Sequence, residues 1–440
     1  MKKIVTTPFD RFKVPPKQNP LFMPFFWVYC YFVTRSAHLK IHKVNMEDLK
    51  PPYIVLGSHH SFMDFIVSPL AVFPHRANYV SELEGFEYYG EWVFRQFGCL
   101  GTRKFVNDLA LVRNIRRVLD RKGILILYPE ARYANVGTNS KLPISVAKLL
   151  KNLKVPVVVL NMQGNYLQSP IWNLTKRKEA RLDATIKQVY TRDQLAAASL
   201  DEIYATISRE LTYDDYEYQF KNQMSITYEK RAEGLHKVLY QCPKCRSEFT
   251  TSTSGASISC TCGMKYTMNE YGRLVDGSVR CSTDGDAGSG VGLSDSCGDA
   301  SPEFTKIPDW YEWQRARVIE SIDAGTYGLD CRVRIESLPN AVNFIDLGEG
   351  RLVHKKDGFY LTFKDYGCSA PETRFFSAAS MTSIHTEYDY RGKGQCVTLS
   401  DVDNTYFIYP LDPSEGFNAT KIQFATEYLY ELASVNKKNK

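Results

Sequence analysis

The chain reads as an α/β protein built on a central, mostly parallel sheet, followed by a small cysteine-rich module and a β-rich C-terminal part. Three observations predict this. First, the short unbroken apolar runs YIVLG (53–57), ILILY (124–128) and VPVVVL (155–160) are spaced among helix-like stretches. Strands apolar on both faces belong in the middle of a parallel sheet, with helices covering both sides. Second, cysteines pair closely at 242/245 and 260/262. Third, eight alternating runs broken by Gly, Asp and Asn follow residue 330, the pattern of antiparallel strands joined by turns.

Taken in order, residues 1–43 hold eight Lys or Arg against one acid, Asp10, while the whole chain of 440 residues has a net charge of +6. Within them lies LFMPFFWVYCYFV (21–33), too short to span a bilayer, which needs about 20 apolar residues. It fits a buried first helix or a helix lying in a membrane interface. The coincidence of aromatics and flanking cations favours the interface, on the cytoplasmic side of the cell membrane as a peripheral or monotopic protein. The polar lead-in and lack of a small-residue cleavage site do not fit a secretory signal. No nucleic-acid-binding motif accompanies the charge, so no nucleic acid is expected as a partner.

Residues 44–235 carry the strand and helix alternation. NDLALVRNIRRVLDRKG (107–123) predicts an amphipathic helix that Asn107 or Asp108 can cap and Gly123 can end. Its face of Arg113, Arg116, Arg117, Arg121 and Lys122 reads as solvated. Residues 236–275 hold CPKCRSEFTTSTSGASISCTCG. Two short cysteine spacings around a hairpin-length insert predict a four-thiolate Zn²⁺ site at Cys242, Cys245, Cys260 and Cys262. Four protein ligands make such a metal structural, and no catalytic cofactor is expected. The other seven cysteines (Cys30, Cys99, Cys281, Cys297, Cys331, Cys368, Cys396) read as reduced and incidental. Residues 276–302 contain six Gly, six Ser and five Asp and no aromatic residue, the composition of a flexible linker. Residues 303–440 begin with a helix at 308–322, run through the alternating strands and close with an amphipathic helix at 418–435. A pleckstrin-homology-like barrel has this arrangement.

The chemistry gathers at GSHHSFMDF (57–65), just past the first central strand. In an open α/β sheet, sites form at the carboxyl ends of strands. Ser61-Phe62-Met63-Asp64 can cap a helix, or Asp64 can fold back to orient an imidazole, so that its free nitrogen takes a proton. Counted from His59 the spacing is H-x4-D; counted from His60 it is H-H-x3-D.

Here the chain resembles the 1-acylglycerol-3-phosphate acyltransferases, a branch of the glycerophospholipid acyltransferases. Their N-H-x-S-x-x-D block stands as Ser58 through Asp64, with Ser in place of Asn. Their G-x4-R block stands as Gly98 to Arg103, and their V-P strand as Val155-Pro156-Val157-Val158-Val159. Their F-P-E-G-T-R block is altered to Tyr128-Pro129-Glu130-Ala131-Arg132-Tyr133. The blocks fall in order over 53–160, about a third of the chain. The rival H-H-x3-D pattern occurs in condensation-domain and related CoA-dependent acyltransferases, usually with Gly after the Asp. Here Phe65 follows, and His59 is favoured.

The resemblance implies His59 as general base, oriented by Asp64, with Gly98, Arg103, Glu130 and Arg132 around the acceptor's phosphate. It implies transfer of a fatty acyl group from acyl-CoA or acyl-carrier protein to a lysophospholipid. The first acceptor is 1-acylglycerol 3-phosphate, giving phosphatidate; glycerol 3-phosphate or another lysolipid is the alternative. The Arg shifted by one position, and Ala where Gly belongs, put the head group in question. A lipid-binding scaffold without turnover is the reading from another class.

Overall fold

The computed structural model describes residues 5–277 and 302–438. Lys2, Lys3, Cys281, Cys297 and nearly all of the expected linker lie outside the described residues. Seven strands form the first sheet: β1 (Lys40–Val44), β2 (Tyr53–Gly57), β3 (Ala77–Glu82), β4 (Cys99–Thr102), β5 (Ile124–Leu127), β6 (Val157–Gln163) and β7 (Asp183–Tyr190). Their order is β1-β7-β6-β2-β5-β3-β4. All neighbours are parallel except β6 and β7, so the sheet is mixed, with its three expected strands side by side at the centre.

Strand alternation explains the layers. Tyr53 and Val55 of β2 point to one face, and Ile54 and Leu56 to the other. Helices 109–120, 145–153 and 200–211 cover the second face through Ile115, Val118, Leu150, Ile203 and Ile207. The expected amphipathic helix spans Leu109–Asp120, and the Asp108 carboxylate accepts the Ala110 N–H at 2.8 Å. Its end departs from expectation. Lys122, not Gly123, takes the left-handed conformation (φ 57°). Gly123 is needed for space: a Cβ there would stand 2.7 Å from the Val118 carbonyl oxygen. The arginines of this helix are also less free than expected. Arg121 donates to the carbonyls of Pro15 and Pro16 at 2.8 and 2.6 Å, and Arg117 to that of Phe12 at 3.3 Å. They strap the N-terminal segment down.

Helix Met23–Arg35 is apolar on two faces. Met23, Phe26, Cys30 and Thr34, at helical spacing, are buried. Leu21, Phe22, Phe25, Val28, Tyr29 and Phe32 are exposed, Phe25 by 78%. The exposed face continues across Trp92, whose ring centroid lies 5.8 Å from that of Phe22. Among the described residues no helix is long and apolar enough to cross a membrane.

The cysteine module is a small antiparallel sheet of β8 (Thr251–Ser254), β9 (Ser257–Cys260), β10 (Lys265–Met268) and β11 (Leu274–Asp276). Helix Ile307–Asp323 follows. Then β12 (Leu329–Ser337), β13 (Ile345–Lys355), β14 (Gly358–Phe363), β15 (Glu372–Ser377), β16 (His385–Glu387), β17 (Cys396–Ser400) and β18 (Thr405–Pro410) make a curled antiparallel sheet. Its order is β15-β14-β13-β12-β18-β17-β16, with helix Ala419–Lys438 packed on it. One apolar core runs through all three regions, from Ala134 and Tyr166 through Cys242 and Ile258 to Trp310 and Phe424.

Candidate active site

The site forms where β2 and β5 end side by side. Gly57 closes β2, and a Cβ there would collide with the Tyr128 ring at 2.7 Å. That space lets Tyr128 stack on the His59 imidazole, with centroids 4.5 Å apart and planes 16° apart. The chain then turns through Ser58–Phe62 into helix Met63–Ala71, which carries Asp64 in its first turn.

Asp64 folds back on the preceding loop; the helix start itself has no side-chain cap. Its Oδ2 accepts the backbone N–H groups of His60 (2.5 Å) and Ser61 (3.0 Å) and meets His59 Nδ1 at 3.1 Å. Its Oδ1 accepts from Asn165 Nδ2 at 2.7 Å. A carboxylate fixed on four sides holds His59 with Nδ1 toward it, leaving Nε2 to take a proton.

Burial separates the two histidines. The His59 side chain is 17% exposed and lines an open cleft. His60 is fully buried, its Nε2 2.9 Å from Ser58 Oγ and its Nδ1 3.5 Å from Asp215 Oδ2. Burial pulls the His60 pKa down, but Asp215, Asp64 and Glu130 together outweigh it and the net shift is upward. His60 is thus a buried brace in this fold.

Glu130 lies beneath the loop. It accepts the N–H of His59 at 3.1 Å and of Ser140 at 2.6 Å, and the Tyr213 hydroxyl lies 3.4 Å away. Burial pushes its carboxyl up to about 7 against those donors. The next residue, Ala131, sits at φ 56°, in the left-handed region. The turn expected of Gly is therefore kept by Ala, at a steric cost of roughly 1 kcal/mol.

The cleft is largely apolar. Phe62, Phe65, Tyr89, Phe94, Leu111 and Val146 line it, and His59 stands on its wall. Tyr133 also meets the imidazole, with ring centroids 4.7 Å and planes 59° apart.

The two arginines expected at a phosphate both have partners in the C-terminal part of the chain. Arg103 Nη1 donates to Leu338 O (2.9 Å) and Thr405 Oγ1 (3.0 Å). Its Nη2 donates to Pro339 O (2.6 Å) and Asp403 O (2.9 Å). All four Nη hydrogens are spent on Thr405 of β18 and on backbone oxygens of the segments that flank β12 and β18, although Arg103 borders the cleft. Arg132 is buried and pairs with Glu427 Oε1 at 3.0 Å; among the described residues its Nε and Nη1 have no hydrogen-bond partner. It is not among the residues lining the cleft. Gly98 is a backbone device rather than a cleft residue. It sits at φ 80°, and a Cβ there would stand 2.8 Å from Gln18 and 2.9 Å from Asn78.

Sequence reasoning missed Asn165, Asp215 and Lys104. Asn165 follows Gly164 (φ 84°), where a Cβ would stand 2.0 Å from the Arg181 carbonyl oxygen. The Gly-Asn pair directly after a strand was the available signal. Asp215 accepts the N–H groups of Gly164 and Tyr166, both at 3.0 Å, 49 or more residues away, and no local pattern marks it. Lys104 is ion-paired with Glu82 in the cleft wall.

The four cysteines stand together. Cys242 and Cys262 Sγ atoms are 3.7 Å apart, as are those of Cys245 and Cys260, and all four lie within 4.8 Å. Thiolates about 2.3 Å from a tetrahedral metal stand about 3.8 Å from each other. The cluster could therefore hold a metal ion.

No family model matches the chain, and no curated protein does. Among solved structures, the 1-acyl-sn-glycerophosphate acyltransferase PlsC of Thermotoga maritima is similar over 43% of this chain and 76% of that one. The identity is 15% and the TM-score 0.37. At that level the functional reading rests on the geometry of the site itself.

Proposed function

We propose that the chain is an acyltransferase that moves a fatty acyl group from a thioester, acyl-CoA or acyl-carrier protein, to the free hydroxyl of a lysophospholipid. The observation that carries this is a His59–Asp64 pair, 3.1 Å apart, on the wall of an apolar cleft. His59 Nε2 takes the hydroxyl proton as the acceptor oxygen attacks the thioester carbonyl. The C–S bond then breaks, and the departing thiolate receives that proton from the imidazole. No acyl-enzyme is needed. The apolar walls suit acyl chains. Helix Met23–Arg35 borders the cleft through Phe26, whose ring centroid lies 5.7 Å from that of the cleft-lining Phe65, and it turns a second, exposed apolar face outward. This supports docking on the cytoplasmic side of the cell membrane, through which both lipid partners would enter. We assign the cysteine cluster to a structural Zn²⁺.

The sequence resemblance makes 1-acylglycerol 3-phosphate the first acceptor to try, giving phosphatidate, with glycerol 3-phosphate as the alternative. The test is acyl transfer from both donors by wild type, His59→Ala and His60→Ala. His59→Ala should fold and lose at least about 10²-fold in rate. His60→Ala should lose melting temperature and retain more of its rate per folded molecule. Loss of turnover in a well-folded His60→Ala with an active His59→Ala would refute the assignment. A lipid-binding scaffold is the second reading, favoured by the commitment of Arg103 and Arg132 to C-terminal partners. Lysolipid binding without turnover from any thioester would establish it.

A further inference from the structure

Besides four tyrosines whose hydroxyls burial keeps protonated, the titratable residues lining the cleft, among the described residues, are His59, Glu82, Arg103, Lys104 and Asp108. Arg103 has spent its Nη donors on four C-terminal oxygens. Asp108 caps a helix and meets Arg11 at 3.5 Å. Lys104 and Glu82 remain, ion-paired with each other and both bordering the cleft. Behind Lys104 the C-terminal sheet supplies His385, both ring nitrogens 3.2 Å from Nζ, and His385 is itself 3.2 Å from Glu387.

Charge accounting decides what fits. His385 is held neutral, because burial and then Lys104 push its pKa well below the usual range. Burial pushes the carboxyls of Glu84 and Glu387 up to about 7, so neither supplies a cation and each can add negative charge. Of the two cations in the cleft wall, Arg103 has its Nη donors filled by neutral oxygens, so Lys104 is the one placed to bond a ligand, and it is already matched by one anion. A phosphate monoester brings about two negative charges at neutral pH. It could be met only by drawing Lys104 off Glu82, leaving a half-buried carboxylate beside a dianion. Breaking one side of a buried pair in this way is costly. A head group with one anionic and one cationic centre exchanges partners with the pair and strands no charge.

We infer that the acceptor's head group is zwitterionic, a phosphodiester carrying an ammonium, held with its anion on Lys104 and its ammonium on Glu82. The position beside His59 rests on the acyl-transfer reading; the charge argument does not. A neutral glycerol head would leave the pair intact and gain neither contact.

The test is equilibrium binding to His59→Ala, which separates binding from turnover. The probes are lysophosphatidylethanolamine, lysophosphatidate and monoacylglycerol of one chain length, each presented in neutral-detergent micelles. The zwitterion should bind at least tenfold tighter than either other probe. Adding Glu82→Gln frees Lys104, and lysophosphatidate should then gain at least tenfold and overtake the zwitterion. Equal or tighter binding of lysophosphatidate or monoacylglycerol to His59→Ala overturns the inference, as does no binding of any probe. If Glu82→Gln fails to fold, the three-probe comparison on His59→Ala decides alone. Zwitterion binding without acyl transfer by wild type would sink the enzymatic reading and keep this one. Preferred transfer to lysophosphatidate would do the reverse.

Discussion

At the scale of single residues, the site works by giving adjacent side chains opposite surroundings. His59 faces the cleft and His60 the core, and Asp64 serves both by holding one imidazole and the backbone of the other. Glu130 has the reverse problem: a carboxyl with three donors around it, buried so deeply that its pKa is raised from 4.5 to about 7. The sign of its effect follows. The folded state holds this proton more tightly than the unfolded chain. The stability it contributes is therefore complete below about 4.5 and is lost as pH rises through about 7. Buried neutral histidines pull the other way: burial lowers His354 to about 3, so its contribution grows as pH rises toward the ordinary histidine range. A difference measurement isolates Glu130. The melting-temperature margin of wild type over Glu130→Gln should narrow steadily from about pH 5 to about pH 8. A margin that stays flat or widens would show that Glu130 is ionised throughout.

At the scale of elements, helix Met23–Arg35 separates two kinds of apolar contact on one rod. Phe26 is inside, its ring centroid 4.4 Å from Phe97 and 5.7 Å from Phe65. Phe25 and Phe32 are outside, 78% and 63% exposed, one residue and six residues along the same helix. Phe26→Ala should cost about 3 kcal/mol of stability, the usual loss for a buried aromatic. The pair Phe25→Ser and Phe32→Ser should leave the melting temperature unchanged. If the outer face lies in a membrane, that pair should weaken binding to anionic phospholipid vesicles by about tenfold per ring, since each buried side chain is worth about 1.5–3 kcal/mol. Vesicle sedimentation of wild type and the double variant reads this directly, and unchanged binding removes the helix from the membrane face. The sequence marked this segment through its aromatic run and flanking cations. It could not say which aromatics face inward, because both faces are apolar and periodicity carries no contrast.

At the scale of the whole molecule, what was legible and what was not divides by range along the chain. The three central strands, the Asp108 cap, the His59 loop and the four-cysteine cluster are all written in spacings of a few residues. The fates of Arg103 and Arg132 are not: their partners lie 235 to 302 and 295 residues away, and only the docked C-terminal sheet and helix reveal them. The same long-range packing makes the cysteine module part of the site's support. Trp310 Nε1 donates to Gln241 O at 2.9 Å, and Gln314 Nε2 to Val238 O at 3.2 Å, tying helix Ile307–Asp323 to the segment that leads into Cys242. Tyr311 of that helix and Gln423 of the last helix both meet Asn135 Nδ2, at 3.0 and 2.7 Å, and Ala134 N donates to His59 O at 3.1 Å. Metal lost from four thiolates leaves a small module without its main source of folding energy. Chelation should therefore release one metal ion and speed amide exchange in Ile307–Asp323 by at least about tenfold, since local opening free energies fall when packing partners loosen. The proposed acyl transfer should decline with the exchange, although among the described residues no cysteine lines the cleft. Metal released with unchanged exchange in that helix would show that the module folds and stands independently of the rest.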